Sequence, residues 1–518
     1  MMDAMGGNIN LLLPVALPIA AGASVLLYPG FRRNRRHLLT AVLAALTAEG
    51  ILVALALGTG GSLFLWQLTD VVALIFHVDG VSCLFAALTA GVWLLVGIYS
   101  VSYMKQEQEE HCFFGFYLIV LGVLIGLDFS GNLITMYVFY ELMTLASLPL
   151  VLHERTKEAV AAGLKYLFYS VAGAFLALFG IFLLLQICGS VPFTPGGVLA
   201  WLPDSGAVAA GTDAVSAKTV DKGLFLAAMF CILVGFGAKA GMFPLHGWLP
   251  TAHPVAPAPA SAVLSGVITK SGVLAVLRVV YYVAGPDMLR GTWVQQAWIL
   301  LTLLTVFMGS MLAYKEPVLK KRLAYSTVSQ VSYVLFGLSM LQAQAFVGAL
   351  AHIIFHSLIK NALFLCAGAI IVTAKKKRVA EMIGLGDQMP FLLICYTIVS
   401  LALIGIPPTS GFVSKWYLAL GALASETGVW TWMGPAVLLV SALLTAGYLL
   451  PLTIQGFFPG TDLKRDETGE GGSPCPVAEK VSAWMLAPVF VLTAGALWFG
   501  CFPGLLLSML EKIASGVL

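Results

Sequence analysis

Apolar runs of bilayer-spanning length recur along the whole 518-residue chain, and polar residues collect in short stretches between them. A hydrocarbon core about 30 Å thick takes about 20 apolar helical residues. By that measure about fourteen spans are expected, near residues 10–28, 38–58, 73–103, 113–129, 132–151, 161–187, 223–249, 258–284, 295–314, 323–341, 346–373, 391–424, 433–457 and 483–508. The pattern predicts an all-α polytopic membrane protein without a separate soluble domain. Its longest polar loops are 188–222 and 459–480. The opening MMDAMGGNIN has no basic stretch before an apolar one, so a cleaved signal peptide is not expected.

Charge in the loops predicts the orientation. The segments FRRNRRH, YMKQEQ, HERTKE, YKEPVLKKR, AKKKR and LKRDE follow odd-numbered spans and hold seventeen Lys and Arg. Loops after even-numbered spans hold three: Lys218, Lys222 and Arg290. Basic loops stay in the cytoplasm. This places the odd loops inside, both termini outside, and the chain in the cell (cytoplasmic) membrane. Composition agrees: 59% of residues are hydrophobic and 10% charged, with a mean hydropathy of +0.94, against about 25% charged in a soluble domain. The net charge of +3 is small and its bases lie in short loops, so no nucleic-acid partner is expected. The eight cysteines are scattered without a C-x-x-C, which argues against an iron–sulfur centre or a disulfide framework.

Few ionisable residues remain inside the apolar spans. They are Glu141, Lys165, Lys239, Lys270, Arg278, His352, His356, Lys360 and Lys415, with Asp79 and Glu49 nearer span ends. Such groups are costly in a bilayer, about 2.5–3.5 kcal/mol at mid-span on the lenient scale, and mark ion or proton pathways. Lys239 is the most informative. It lies in FLAAMFCILVGFGAKAGMFPLHGWLP between Gly237 and Gly241, with Pro244 following. A proline interrupts helical hydrogen bonding, so a charge coincides with a helix break. Lys415 follows Pro407 and Pro408 in LIGIPPTSGFVSKWYL. His352, His356 and Lys360 recur at i, i+4 and i+8, which places them on one helix face. Two histidines one turn apart can chelate zinc, but no third ligand is visible beside them, so no metal site is expected. Lys165 is only a few residues into its span, close enough to snorkel to the cytoplasmic surface; Arg278, near the far end of its span, is expected to snorkel.

The two interrupted spans are the seventh and the twelfth. Five apart, they cross in opposite directions, which is the sign of inverted repeats with broken helices. The expected organisation is one integral membrane domain, 1–518. It has three N-terminal helices in 1–110, a first five-helix repeat (spans 4–8) in 111–284, a second (spans 9–13) in 295–457, and a final helix at 483–508.

FHVDGVSCLF, MYVFYELMTLAS, GFGAKAGMFPLHGWLPTAHPVAPAPASAVLSGVITKSGV, LKKRLAYSTVSQVSY, AHIIFHSLIKNALFLCAGA and IGIPPTSGFVSKWYL, in this order, resemble the antiporter-like membrane subunits of respiratory complex I. They are equally similar to related subunits of multisubunit cation/proton antiporters and of membrane-bound, energy-converting hydrogenases. The resemblance covers nearly the whole chain. It implies a fourteen-helix core with two inverted repeats and proton half-channels. Their key positions fall on Glu141, Lys239, Lys270, the His352–His356–Lys360 stripe and Lys415. The chain stops at Leu518 soon after the last span, which argues against the distal complex I type with its long lateral helix.

The expected function is proton translocation by one membrane subunit of a larger hydrogenase or complex I type assembly, through Glu141, Lys165, Lys239, Lys270, His352, His356, Lys360 and Lys415. No redox chemistry and no cofactor are expected in this chain. The expected partners are other membrane subunits, including paralogous ones, the lipid bilayer, and protons, with Na+ as an alternative ion. Rival readings are a subunit of a multisubunit Na+/H+ antiporter, a stand-alone secondary carrier with a roomy midplane cavity, and a structural scaffold, which leaves the buried charges unexplained.

Overall fold

The computed structural model of the chain describes residues 7–69, 72–188, 191–198, 221–459 and 480–518. Most of the two long polar loops lies outside the described residues. The chain is mostly helical (80%), in keeping with an all-α polytopic membrane protein. Its principal helices are α1 (Leu13–Leu27), α2 (Arg35–Thr59), α3 (Gly80–Tyr103), α4 (Glu110–Asp128), α5 (Leu133–Val151), α6 (Lys157–Cys188), α7 (Lys222–Ala240), α8 (Ala258–Ala284), α9 (Trp293–Lys315), α10 (Leu319–Ser339), α11 (Ala343–Ala374), α12 (Pro390–Ile404, resuming after a break as Ser410–Leu423), α13 (Trp430–Phe457), α14 (Ala483–Cys501) and α15 (Gly504–Val517).

Twelve helices among the described residues are long and apolar enough to cross a bilayer. Two expected spans fall short of that measure for local reasons. The α10 helix opens with Lys320, Lys321 and Arg322 and continues through Ser326, Thr327, Ser329, Gln330 and Ser332, which lowers its hydropathy. The α12 helix is divided into pieces of 15 and 14 residues.

Two short departures from helix or from the expected boundaries occur. Residues expected to open the third span instead form β2 (Val72–Val78), paired antiparallel with β1 (Gly61–Thr69), Gly61 opposite Val78 and Phe64 opposite Ile75. The β2 backbone continues onto the α4–α5 turn: His77 N donates to Phe129 O at 2.7 Å and Gly131 N to Ile75 O at 2.9 Å. Helix starts at Gly80 because the Asp79 carboxylate caps it, accepting from Ser82 N at 2.8 Å. The last expected span ends at Cys501, where Phe502 and Pro503 turn the chain into the separate α15.

The innermost helices are α8 and α11, whose most apolar windows are 100% and 83% buried. Close approach needs small residues where backbones meet. A Cβ on Gly266 of α8 would lie 1.9 Å from Asn361 Nδ2 of α11, and one on Gly272 would lie 2.7 Å from Phe236 O of α7. These two glycines let α8 touch both neighbours.

Arg278, expected to snorkel, is 2% exposed instead. It donates to Asp79 through Nη1 at 2.5 Å and Nη2 at 2.8 Å, and to Ser82 Oγ at 2.9 Å. Its guanidinium centre lies 4.4 Å from the Tyr282 ring and 5.1 Å from that of Phe193. The hairpin brings Asp79 over the end of α8, so the cation finds a carboxylate before it reaches water.

Burial raises the pKa of the Asp79 carboxyl, but the Arg278 charge and the hydrogen bonds from Arg278 and Ser82 outweigh it and hold the group down to about 2. The unfolded value is about 3.9. A group whose folded value is depressed contributes stability that is complete above the unfolded value and lost as pH falls through the folded one. The gap in melting temperature between wild type and Asp79→Asn is therefore expected to be constant above about pH 5 and to close toward about pH 2. Arg278→Leu strands a buried carboxylate and is expected to cost about 3–5 kcal/mol. Thermal denaturation of the detergent-purified protein across pH checks both.

Candidate functional site

The first polar group is built at the end of α7. The chain leaves the helix at Gly241, with φ +80°, and resumes as a short helix, Leu249–Val255. Local donors cover the freed backbone. Met242 N gives to Gly237 O at 2.8 Å, and Trp248 Nε1 gives to Ala238 O at 3.0 Å. Lys239, fully buried, sits in the last turn before the break. An ammonium has three N–H donors. All three are taken by hydroxyls: Thr144 at 3.1 Å on α5, and Tyr166 at 2.5 Å and Ser170 at 3.2 Å on α6. Tyr166 Oη is also 2.7 Å from Ser147 Oγ, and the Tyr166 ring centre lies 4.3 Å from the ammonium. Glu141 lies on α5, three residues before Thr144. It is half-buried, and its Oε1 is buried without a hydrogen-bond partner. Glu141 and Lys239 act on each other electrostatically without closing to an ion pair.

The second group gathers around α8 and α11. Helix α8 widens to π geometry over Leu264–Ile268, which lets the Lys270 ammonium reach back to Ser265 O at 2.5 Å. Such π-bulges often mark functional positions. Ser265 Oγ pairs with Thr327 Oγ1 of α10 at 2.7 Å. On α11, Lys360 donates to Leu323 O at 3.0 Å and to the Ser326 hydroxyl. The His352 and His356 rings lie nearly parallel, 5.8 Å apart and 18° from coplanar. His352 Nδ1 is 2.8 Å from Ser414 Oγ, while neither ring nitrogen of the fully buried His356 has a protein partner. Lys415 donates to Leu403 O at 2.6 Å and Ile404 O at 2.9 Å, the final carbonyls before the α12 break. Its ammonium lies 5.1 Å from the Tyr333 ring centre.

Lys415 donates to the carbonyl end of its first half-helix, where the backbone dipole favours a cation, whereas Lys239 lies in the last turn before its own break and turns its ammonium to hydroxyls of α5 and α6. Among the described residues, no carboxylate comes within ion-pair distance of Lys239, Lys270, Lys360 or Lys415. In the second group the charges that act on these residues are one another's: that of Lys360 on Lys270, and those of Lys270, Lys360, His352 and Lys415 on His356.

The eight residues singled out in the sequence thus fall into two groups and one outlier. Glu141 and Lys239 form the first group; Lys270, His352, His356, Lys360 and Lys415 form the second. The groups approach where Gly272 packs on Lys239, a Cβ there lying 3.2 Å from Lys239 Cβ. No hydrogen bond joins Lys239 to Lys270 among the described residues. Lys165 stands apart, half-buried on α6, its ammonium 6.0 Å from the Tyr169 ring centre.

Sequence reasoning passed over the hydroxyl cage. Tyr166 and Ser170 at i, i+4, and Thr144 and Ser147 at i, i+3, carried the signal of a polar face inside a span. It also counted Lys320 only as a loop base. That residue is 7% exposed and donates to Pro254 O at 3.2 Å and Ala256 O at 2.5 Å. His253, in the same proline-rich bend, is fully buried. Away from both groups, Glu109, His111 and Cys112 bring ligand-type atoms within 4.8 Å of one another. Arg32 already occupies Glu109 Oε1 at 3.4 Å.

Residues 130–445 match the family described as NADH:quinone oxidoreductase/Mrp antiporter, transmembrane, and residues 70–114 match the N-terminus of chain 5 of NADH-ubiquinone oxidoreductase (complex I). The chain is 31% identical to NADH-quinone oxidoreductase subunit N of Desulforudis audaxviator over 95% of both chains. It is also 31% identical to hydrogenase-4 component B of Escherichia coli K12, over 81% of this chain and 62% of that protein's length. Its fold resembles a chain of the Mrp complex from Dietzia sp. DQ12-45-1b, with a TM-score of 0.80 and 23% identity over 98% of this chain and 97% of that one.

Buried charges without counter-ions cost stability, so residues kept for chemistry should behave differently from those kept for packing. Lys360→Met, which keeps length and removes the charge, is expected to leave the melting temperature unchanged or raise it. A loss comparable to that of Arg278→Leu, in the same thermal assay, would mark Lys360 as a structural tie.

Proposed function

The chain belongs to the NADH:quinone oxidoreductase/Mrp antiporter transmembrane family, and on that footing we propose that it translocates protons as one membrane subunit of a multisubunit energy-converting complex of the hydrogenase or complex I type. The observation that carries the reading is the set of buried Lys239, Lys270 and Lys360 and half-buried Lys415, none within ion-pair distance of a carboxylate among the described residues, held by hydroxyls and carbonyls beside two histidines. Like charges held close together disfavour one another. A proton arriving at one lysine therefore lowers the hold of the next on its own proton. Hydroxyls that both donate and accept line the path at Thr144, Ser147, Tyr166, Ser170 and Ser414. Moving one charge against 100 mV costs about 2.3 kcal/mol, so the drive comes from partner subunits. In this reading the chain itself holds no redox cofactor and no metal.

The same reading takes the protein as fourteen membrane crossings, with α10 and the divided α12 among them, in two inverted five-helix repeats. The odd loops face the cytoplasm and both termini lie outside, in the cytoplasmic membrane. The two broken helices, each with a lysine near its break, support the repeat. Two clefts of about 350 Å³ lie at Leu152–Arg155 and beside Gln342–Tyr417. Both lie off the lysine groups. The family's Mrp members keep a Na+/H+ antiporter subunit as the second reading.

In proteoliposomes holding the purified complex, Glu141→Gln and Lys239→Met are each expected to slow proton translocation at least tenfold while the subunits still copurify. Translocation within twofold of wild type in both would overturn the reading. Sodium flux equal to proton flux, and lost in the same variants, would favour the antiporter subunit.

A further inference from the structure

His253 is a titratable group that neither lysine group uses. It lies in the short helix Leu249–Val255, just after the α7 break, with Pro254 following and Pro257 closing the bend. Its side chain is fully buried, and neither ring nitrogen has a protein hydrogen-bond partner. A neutral imidazole needs one acceptor for its N–H and one donor for its lone pair. Leaving such groups buried and unpaired is destabilising. A purely structural residue at this place would be apolar: the ring packs face to face on Phe364, 4.9 Å between centres and 22° from parallel, a contact a phenyl or leucyl group makes equally well.

Its position is specific. Phe364 lies one turn beyond Lys360 on α11, so the imidazole sits beside the Lys360 stripe. In the other direction, the carbonyls of Pro254 and Ala256, one and three residues further along the chain, hold the Lys320 ammonium at 3.2 and 2.5 Å. Lys320 is in the first turn of α10, at the end of the helix that carries the LKKR bases. The other charges acting on Lys320 are Glu107, Glu154 and Lys377, all in polar connecting segments. The charges acting on His253 are Lys320, Lys360 and Lys270, and no carboxylate is among them. Its ring is therefore within electrostatic reach of a cation at the basic end of α10 and of two cations of the buried group.

We propose that His253 is the relay through which the Lys270–Lys360 group exchanges protons with the basic-loop side of the membrane, with Lys320 at the mouth. The chemistry is a proton handed across one imidazole: one ring nitrogen accepts from the Lys320 side while the other releases toward Lys360 or Lys270. No bond other than N–H forms or breaks, and the ring ends in the other tautomer until it turns over. Bound water or a reoriented ammonium completes each step, as a ring with two open nitrogens requires. This rests on the proton-translocation reading and adds the entry point to it.

The test uses the intact purified complex in proteoliposomes and compares His253→Leu, which keeps the packing on Phe364, with His253→Gln, which keeps hydrogen-bonding atoms but cannot relay a proton by tautomer exchange. Both are expected to lower proton translocation at least tenfold. In His253→Gln the ratio of rates in H2O and D2O is expected to rise above the wild-type ratio, because proton transfer becomes limiting. A merely structural role would leave that ratio unchanged. Translocation within twofold of wild type in either variant, or a rate loss with the wild-type isotope ratio in His253→Gln, would overturn the proposal. If Glu141→Gln and Lys239→Met block translocation while the His253 variants do not, only the relay fails. If none of them affects it, the translocation reading itself fails.

Discussion

A helix that ends inside an apolar core leaves carbonyls with no partner, and in a bilayer no water is at hand to satisfy them. The rest of this structure follows from how the chain meets that demand. At the α12 break the Lys415 ammonium covers Leu403 and Ile404. At the α7 break the Trp248 indole and the Met242 amide cover Ala238 and Gly237, which frees the Lys239 ammonium for a cage of three hydroxyls. At the proline-rich bend after α7, Lys320 covers Pro254 and Ala256. At the α12 break and the proline-rich bend, breaking the backbone and burying a lysine are one device, in which the break supplies carbonyl oxygens and the lysine the donors they lack.

That device also sets the electrostatics. Carbonyls and hydroxyls stabilise an ammonium without fixing its charge as a carboxylate does. The contrast lies within the same helix. Arg278 of α8 is locked to Asp79 through two short hydrogen bonds, while Lys270, eight residues earlier, donates among the described residues to the Ser265 carbonyl alone. The first pairing ties the hairpin to the helix end and suits a permanent charge. The second suits a group that gains and loses a proton. The deep burial of α8 and α11 keeps the lysines and histidines close enough to sense each other's charge.

Much of this was legible in the sequence, for physical reasons. Long apolar runs determine where helices can cross, and an ionisable residue within such a run is too costly to be incidental, so Glu141, Lys239, Lys270, the α11 stripe and Lys415 stood out by residue type alone. The glycines and prolines around Lys239 and Lys415 marked the breaks directly. What was hidden depended on tertiary placement. Arg278 was expected to reach for water because nothing local shows that a hairpin carries Asp79 onto the end of α8. VALIFHV read as the start of a span because strand and buried helix share apolar composition over short lengths. The hydroxyl cage escaped because Ser, Thr and Tyr are common in membrane helices. Lys320 and His253 escaped because burial of a loop base or a lone histidine is a property of the packed chain.

The central claim is that the buried lysines carry protons and do not simply hold helices together. The most direct test records the driving reaction and the transmembrane pH gradient together in proteoliposomes containing the complex with Lys360→Met. The account predicts that the driving reaction continues while the pH gradient formed per turnover falls below that of wild type. An unchanged gradient per turnover, in a complex lacking the Lys360 charge, would contradict it.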